Sequence, residues 1–213
     1  MARFEYTVQR SSRRTYSIKV TEDNKIIVRA PARATQRDIE NVVAEKRAWI
    51  ERALAFNSAN VLAGQRVKDY AEAYVRGERV PVIKSTRNFI DGQGVHVTSP
   101  RGFKAAYVNS LGEEFLSRFK GEEARCGLHS AGVGFRAYKS MWGCCDAKGN
   151  IVFNFKLLML PPELQRYVMV HELCHIVHRD HSPAFWQLVE RFEPSYKLLR
   201  KEMKRYNFLS KMY

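Results

Sequence analysis

Hydrophobic and polar residues alternate along the first thirty residues of the chain, a pattern typical of β-strands with one buried face. Three segments carry this alternation and predict an antiparallel meander: Phe4 to Val8, Tyr16 to Val20 and Ile26 to Arg29. The spacing then becomes helical. Thr35 and Asp38 fit a capping box, and apolar residues follow every three or four positions as far as Leu54.

The rest of the chain mixes both patterns and predicts further strands and helices. Predicted strands are Arg79 to Lys84, Val95 to Thr98 and a hairpin of Phe135 to Lys139 with Ile151 to Phe155; predicted helices include Lys104 to Phe119 and Tyr196 to Arg205. This order predicts an α+β fold, in which an amino-terminal antiparallel β part packs on a helical core with a short sheet. We expect two parts, residues 1–60 and 61–213 with a boundary within 57–65, or one continuous domain.

One helix carries the most informative motif of the sequence. Pro162 and Glu163 favour a helix start, and the apolar spacing after them places an H-E-x-x-H motif, residues 171–175, inside the helix. Residues four apart share one face of a helix, so the imidazoles of His171 and His175 can bind one metal ion. Glu172 then lies beside the open position of the metal, where it can take a proton from water.

A third ligand has to come from beyond the motif, and His181 is the candidate. A helix that continued for ten residues would carry this side chain about 15 Å along its axis, so the chain has to turn back. We expect the helix to reach Arg179, and Ser182 and Pro183 predict the turn because they are typical of the cap and first residue of a new helix. The alternatives for the third ligand are His178 and a carboxylate of the next helix, Glu190 or Glu193.

Three nitrogen ligands and one open position are typical of catalytic zinc sites, whereas structural zinc sites usually close all four positions with cysteines. The four cysteines, Cys126, Cys144, Cys145 and Cys174, contain no C-x-x-C pair. We expect Cys174 to be a buried core residue, since it lies on a different helical face from the histidines. The sequence therefore predicts Zn²⁺ in a catalytic site, with Glu172 as general base.

The segments around this motif resemble the YgjP-like metallopeptidase family, which is similar in metal-site spacing to the SprT-like and WLM zinc proteases. The resemblance implies zinc ligands at His171, His175 and His181, a general base at Glu172 and a zincin-like core over residues 61–213. The segments that carry it are Tyr138 to Cys145, Gly149 to Ile151, Asn154 to Leu157, Leu160 to Glu163, Tyr167 to His175, His181 to Pro183 and Phe185-Trp186, with Val8 to Ser11, Arg13 to Thr15, Val28 to Pro31 and Lys46 to Ile50 at the amino end.

The chain departs from the family's usual K-S-R-W-G-S-C segment at two positions, because Met141 stands in place of arginine and Cys144 in place of serine. The resemblance implies a zinc-dependent metallopeptidase that hydrolyses peptide bonds with a zinc-bound water activated by Glu172. Two alternatives stay open at this point. One is a zinc hydrolase of non-peptide amides, and the other is a basic nucleic-acid-binding protein with a structural or inactive zinc site.

The nucleic-acid alternative arises from the charge of the chain. Its 36 lysines and arginines against 22 acidic residues give a net charge of +14, which favours acidic partners. The basic residues concentrate at Arg10 to Arg14 and along Lys197 to Arg205, where a solvated helix face is the alternative to a binding surface. No recognisable nucleic-acid-binding motif accompanies them.

Location and substrate follow from weaker signals. The chain has no apolar run long enough for a membrane span, no signal sequence at its start and no disulfide pattern, features that favour a cytoplasmic protein. A protein or peptide substrate can pair with an exposed strand edge, and Ile151 to Phe155 is the candidate, with an internal strand as the alternative. By chemistry Tyr138, Lys139 and His129 can donate to an oxyanion, but no pattern selects among them. The sequence does not indicate an oligomeric state.

Overall fold

The structure, a computed structural model, describes residues 4–21, 23–68 and 71–210, without the side chains of residues 60–68. The chain divides into two compact units, Met1–Ala63 and Gly64–Tyr213, and the division falls within a helix, Arg47–Lys68. Both units combine helices with strands. The predicted α+β fold class is confirmed.

The amino unit contains a three-stranded sheet of β1 (Tyr6–Ser11), β2 (Ser17–Val20) and β3 (Ile26–Pro31), in the order β1-β3-β2. Strands β2 and β3 are antiparallel, as predicted, but β1 pairs with β3 and not with β2, so the predicted meander is wrong for the partner of β1. The reason is burial. Strand β3 carries Val28 and Ala30, both fully buried, and takes the central position that a meander would have given to β2.

Two helices follow the amino sheet. Helix α1 (Gln36–Glu45) begins at the predicted capping box, since the Thr35 side chain accepts from the Asp38 amide and the Asp38 carboxylate accepts from the Thr35 amide. The single helix expected from the apolar spacing is interrupted at Lys46, and α2 (Arg47–Lys68) continues beyond it.

The carboxyl unit contains a four-stranded sheet of β4 (Glu72–Val75), β5 (Glu78–Lys84), β6 (Phe89–Asp91) and β7 (Gly94–Val97), in the order β4-β5-β7-β6. Helix α3 (Phe103–Cys126) follows it and is longer than predicted, ending at Gly127 in a left-handed conformation (φ 65°). Phe115 and Phe119 of α3 pack edge-on against Phe153 of the second sheet, with ring centroids 5.0 and 5.2 Å apart.

The second sheet of this unit contains β8 (Gly132–Arg136), β9 (Gly143–Cys145) and β10 (Asn150–Asn154), in the order β8-β10-β9. The predicted hairpin partners are wrong, because β8 runs parallel to β10 and the antiparallel partner of β10 is β9. The turn explains the pairing. Asp146 accepts hydrogen bonds from the amides of Lys148 and Asn150, both at 2.8 Å, which closes a short loop between β9 and β10.

Helices complete the unit: α4 (Pro162–Cys174), α5 (Pro183–Phe192), α6 (Tyr196–Met203) and α7 (Asn207–Ser210), with single-turn 3₁₀ helices at Pro100–Gly102, Phe155–Met159 and Lys204–Tyr206. The predicted starts of α4 and α5 are confirmed. Helix α4 ends at Cys174 and does not reach Arg179 as expected. Within the described ranges, no helix combines the length and apolar character that crossing a membrane requires.

Candidate active site

The early end of α4 creates the turn on which the site is built. After the helix the amides of His175, Ile176 and Val177 each bond the carbonyl three residues earlier, at 3.0–3.2 Å, so the backbone tightens and changes direction. The chain then enters α5, where the Ser182 hydroxyl accepts from the Phe185 amide at 3.4 Å. His181 therefore lies in a turn between two helices, as predicted.

This turn brings three imidazoles together. The Nε2 atoms of His171 and His181 are 3.2 Å apart, and the ring centroid of His175 lies 4.8 Å from each of the other two rings. One nitrogen from each of the three lies within 4.8 Å of the others. Two nitrogens on one tetrahedral zinc ion are about 3.3 Å apart for bonds of about 2.0–2.1 Å, so the closest pair has the spacing that such an ion needs.

The rival third ligands lie elsewhere. His178 is absent from the cluster in the described part of the chain, and its backbone carbonyl instead lies 2.9 Å from Nδ1 of His175. This contact fixes the His175 ring and leaves its Nε2 available. Glu190 pairs with a lysine of α6 at 3.1 Å, and the buried Glu193 pairs with Arg166.

Burial favours the neutral form of two of the imidazoles. Burial, together with smaller contributions from the neighbouring His175 and His181, lowers the pKa of His171 to about 3. Burial also lowers the pKa of His175. Neutral imidazole is the form that binds a metal ion, so these two side chains need not first release a proton at neutral pH.

A phenylalanine supports all three histidines. Phe185 is fully buried, its ring stacks on His175 with centroids 4.5 Å apart, and its centroid lies 5.0 Å from His171 and 4.9 Å from His181. Trp186 stacks on the outer face of His181 at 5.6 Å. The sequence analysis included these two aromatic residues in the family resemblance but assigned them no role. Their positions, three and four residues after the Ser182 cap, could have indicated that they pack beside His181.

Glu172 lies beside the histidines, only 5% exposed. Burial raises the pKa of its carboxyl group to about 8. The backbone of β9 packs closely against this side chain, since a Cβ atom built on Gly143 would lie 2.8 Å from Glu172 Oε1 and 2.9 Å from its Cγ. Only glycine fits there, and the sequence analysis missed this constraint although Gly143 lies inside the segment that resembles the family.

The loop before β9 is held by buried polar side chains. Asn154 donates to the carbonyls of Tyr138 and Met141, at 3.0 and 2.8 Å. The fully buried Lys156 donates to the carbonyls of Tyr138 and, in α7, Ser210, at 3.3 and 2.9 Å. Burial lowers the pKa of Lys156 to about 8. These bonds fix the loop that leads to Gly143.

An open cleft of about 570 Å³ passes over the histidines and Glu172, within the size range of ligand sites. None of the oxyanion candidates Tyr138, Lys139 and His129 lines it; Tyr138 instead lies 3.2 Å from the sulfur of Cys144. Cys174, predicted to be a core residue, is fully buried. The lining residues are Met141, Trp142, Gly143, Cys144, Cys145, Tyr167, Val168, His171, Glu172, His175, Arg179, His181, Arg200, Met203, Lys204 and Asn207.

A comparison with protein families agrees with the resemblance drawn from the sequence. A family model described as YgjP-like, metallopeptidase domain, matches residues 14–206. Among solved structures, the crystal structure of the metallopeptidase zymogen of Pyrococcus abyssi abylysin is 24% identical in sequence, covers 42% of this chain and 90% of its own chain, and has a TM-score of 0.39. A comparison with curated proteins finds no match.

Proposed function

Since this chain belongs to the YgjP-like metallopeptidase family, we propose that it is a zinc-dependent peptidase with Glu172 as its general base. The proposed ligands are His171, His175 and His181. The observation that carries the proposal is the convergence of three imidazoles beside a buried carboxyl group in one cleft. Three nitrogen ligands leave one position open, which is typical of catalytic rather than structural zinc sites.

The roles of the side chains follow from their environment. Zinc, when bound, polarises the scissile carbonyl and lowers the pKa of water. Glu172 accepts a proton from the attacking water and passes it to the leaving amine. Burial raises the pKa of this carboxyl group to about 8, which favours the donating half of the role, whereas the positive charge of a zinc ion, when bound, would favour the ionised form that accepts the proton. Phe185 and the carbonyl of His178 hold the imidazoles in place.

Strand β9 is the proposed docking edge for an extended peptide. The sequence candidate, Ile151 to Phe155, does not offer a free edge, because β10 pairs with β8 on one side and β9 on the other. In this sheet β9 is an outer strand, and Gly143, Cys144 and Cys145 all line the cleft. A peptide that adds to this edge would cross the cleft beside Glu172.

The other candidate functions lack comparable support. The matched family consists of metallopeptidases, so peptide substrates are favoured over other amides. No cluster or motif among the described residues identifies a nucleic-acid site. The cytoplasmic location stays a prediction from the sequence.

Elemental analysis of the purified protein tests the ligand assignment. We expect one zinc per chain in the wild type and in Glu172→Gln, and no zinc in His181→Ala. His178→Ala is the matched control, because this histidine lies in the same turn but outside the cluster; it should retain zinc. Glu172→Gln should abolish peptide hydrolysis while it keeps the metal, since it removes only the proton acceptor.

Two results would contradict the proposal. A wild-type protein without zinc under metal-replete conditions would remove the metal centre from the mechanism. Zinc that survives His181→Ala would show that the third ligand lies elsewhere.

A further inference from the structure

The charges along the cleft are unequal. Glu172 is the single carboxylate among the lining residues, whereas Arg179, Arg200 and Lys204 contribute three permanent positive charges. Arg179 belongs to the wall next to the β9–β10 turn, and Arg200 and Lys204 belong to the wall formed by α6 and the 3₁₀ turn after it. The cations thus lie in two different walls of the cleft that contains the proposed general base.

Acidic groups near these cations are already engaged. The carboxylate of Asp180, next to Arg179 in sequence, accepts from the Ser182 amide at 3.3 Å. The Asp146 carboxylate accepts from the backbone amides of its own turn and from the side chain of Asn150. On the other wall, Glu202 pairs with Arg205 at 2.8 Å and Glu190 pairs with Lys197 at 3.1 Å. In the portion of the chain that the structure describes, no ion pair involves the three cleft cations.

Both guanidinium groups are held in position by neutral neighbours. Arg179 donates through its two terminal nitrogens to the carbonyls of Asp146 and Ala147. Arg200 lies over the ring of Trp186, 4.7 Å from its centroid, and Trp186 in turn stacks on Tyr196. Such contacts orient the side chains without neutralising their charge, so less conformational entropy is lost when an anion binds.

We propose that the cleft selects peptides with acidic side chains, which Arg179 binds on one wall and Arg200 with Lys204 on the other. A guanidinium group recognises a carboxylate through two parallel hydrogen bonds, and a charged acceptor makes these bonds stronger than a neutral amide does. Basic peptides would meet uncompensated like charge on both walls. This inference rests on the proposed peptidase function for the identity of the ligand as a peptide, and it adds the chemical class of that peptide.

Binding of short peptide mixtures tests the inference without requiring hydrolysis. Two fluorescent mixtures, randomised over uncharged residues, would carry either glutamate or glutamine at one fixed position. Their dissociation constants would be measured by anisotropy with the Glu172→Gln protein, as purified, at low and at high salt. We expect the glutamate mixture to bind about tenfold more tightly at low salt, and high salt to reduce this preference because part of each cation is exposed.

Variants that remove positive charges from the cleft, made in the Glu172→Gln protein, show which residues cause the preference for the glutamate mixture. Arg179→Gln should reduce this preference. Arg200→Gln combined with Lys204→Gln should reduce the preference to about threefold or less. Lys201→Gln is the control for the loss of one charge: it removes a positive charge from α6 at a residue that does not line the cleft. This control should keep the full preference.

Several outcomes would overturn the inference. Equal affinity for the two mixtures would exclude an acidic subsite. If the preference for glutamate survives removal of all three cations, the glutamate carboxylate of the peptide binds another group, such as the metal. Tighter binding of a single-stranded oligonucleotide than of the glutamate mixture would make nucleic acid the preferred anion. Failure of the proposed function is distinguishable from all of these, because it appears as missing zinc or missing hydrolysis while peptide binding is still measured.

Discussion

Two walls of the candidate active-site cleft are built in different ways. The helical wall consists of α4 and α5 with the turn between them. It comes from one stretch of 31 residues, Pro162–Phe192, so its contacts join residues that are close in sequence. The sheet wall, β8 to β10 with their loops, is assembled by a parallel pairing between β8 and β10 and by the buried side chains of Asn154 and Lys156. The proposed ligands all lie in the helical wall, whereas Gly143 brings the sheet wall against Glu172.

This division separates two properties of the proposed enzyme. Metal binding should depend on the helical wall, because no proposed ligand comes from the sheet. Catalysis should depend on both walls, since the position of Glu172 is limited by β9. Variants in the helical wall are therefore expected to lose metal, and variants in the sheet wall to keep metal and lose turnover.

The largest effect is expected from Phe185→Ala in the helical wall. This side chain is fully buried beneath three imidazoles, so its truncation removes packing and leaves a cavity, at a cost of about 3–5 kcal/mol in the free energy of unfolding. We also expect zinc affinity to fall by about tenfold or more, because the rings lose their support. Denaturant unfolding and zinc titration against a chelator measure the two effects.

The control for this variant is Phe192→Ala. Phe192 lies on the same helix and is half-buried, but it makes no ring contact with the histidines. It should lose some stability and keep its zinc affinity. If both variants weaken zinc equally, the phenylalanine beneath the cluster has no specific role.

Beneath the sheet wall, Lys156 gives the protein a pH-dependent stability. Burial lowers the pKa of this ammonium group from 10.5 to about 8, which corresponds to about 3 kcal/mol. Between these two values the unfolded chain binds more protons than the folded chain, so the free energy of unfolding should rise as the pH increases from about 8 to about 10.5. Below about pH 8 both states are protonated and the cost of the buried charge is present in full.

Lys156→Met isolates this contribution. The variant loses the hydrogen bonds to the carbonyls of Tyr138 and Ser210 at every pH, but it should also lose the rise in stability between about pH 8 and 10.5. Denaturant unfolding at several pH values measures the difference between the two proteins. Parallel curves for the wild type and the variant would show that the lysine does not titrate in this range. Zinc content should be the same in both, as expected for the sheet wall.

Sequence patterns predicted the helical wall well for a physical reason. Its signals are local: a proline start, a motif with helical spacing, and a serine cap followed by proline. Each acts within a few residues, so periodicity and capping rules detect it. The error was the end of α4, where the apolar spacing continues past Cys174 while the backbone has already tightened into a turn. Whether the histidines bind zinc stays a prediction.

The sheet wall and the amino sheet were predicted less well because strand pairing is non-local. Alternation identifies a strand but does not name its partner, so β1 was assigned the wrong partner and β8 the wrong direction relative to β10. Strand β9 was missed since a three-residue strand of glycine and cysteines has no alternating pattern. The basic face of α6 was read as a solvated face or a nucleic-acid surface, and only the fold shows that Arg200 and Lys204 line the cleft.

Gly143→Ala tests whether the sheet wall acts through Glu172. The added methyl group would lie within 3.0 Å of three atoms of this side chain, so the carboxyl group has to move. A displacement of this kind is expected to lower kcat/KM for peptide hydrolysis by about 10- to 100-fold, with zinc content unchanged. Gly134→Ala on β8 is the control, because no atom lies within 4 Å of its added Cβ. Loss of zinc in Gly143→Ala would contradict the proposal that variants in the sheet wall keep the metal.

The smallest effect is expected from Ser182→Ala, which removes the cap of α5. The Ser182 hydroxyl accepts from the Phe185 amide, and loss of such a cap costs about 1 kcal/mol in the free energy of unfolding. Ser195→Ala is the matched control, since this serine precedes α6 without a capping hydrogen bond from its side chain, and it should change stability very little. Zinc affinity in Ser182→Ala should fall by no more than about fivefold, the equivalent of that free energy, because the packing of Phe185 still holds the turn. A loss of zinc affinity as large as that in Phe185→Ala would mean that the cap, and not the aromatic packing, keeps His181 beside the motif.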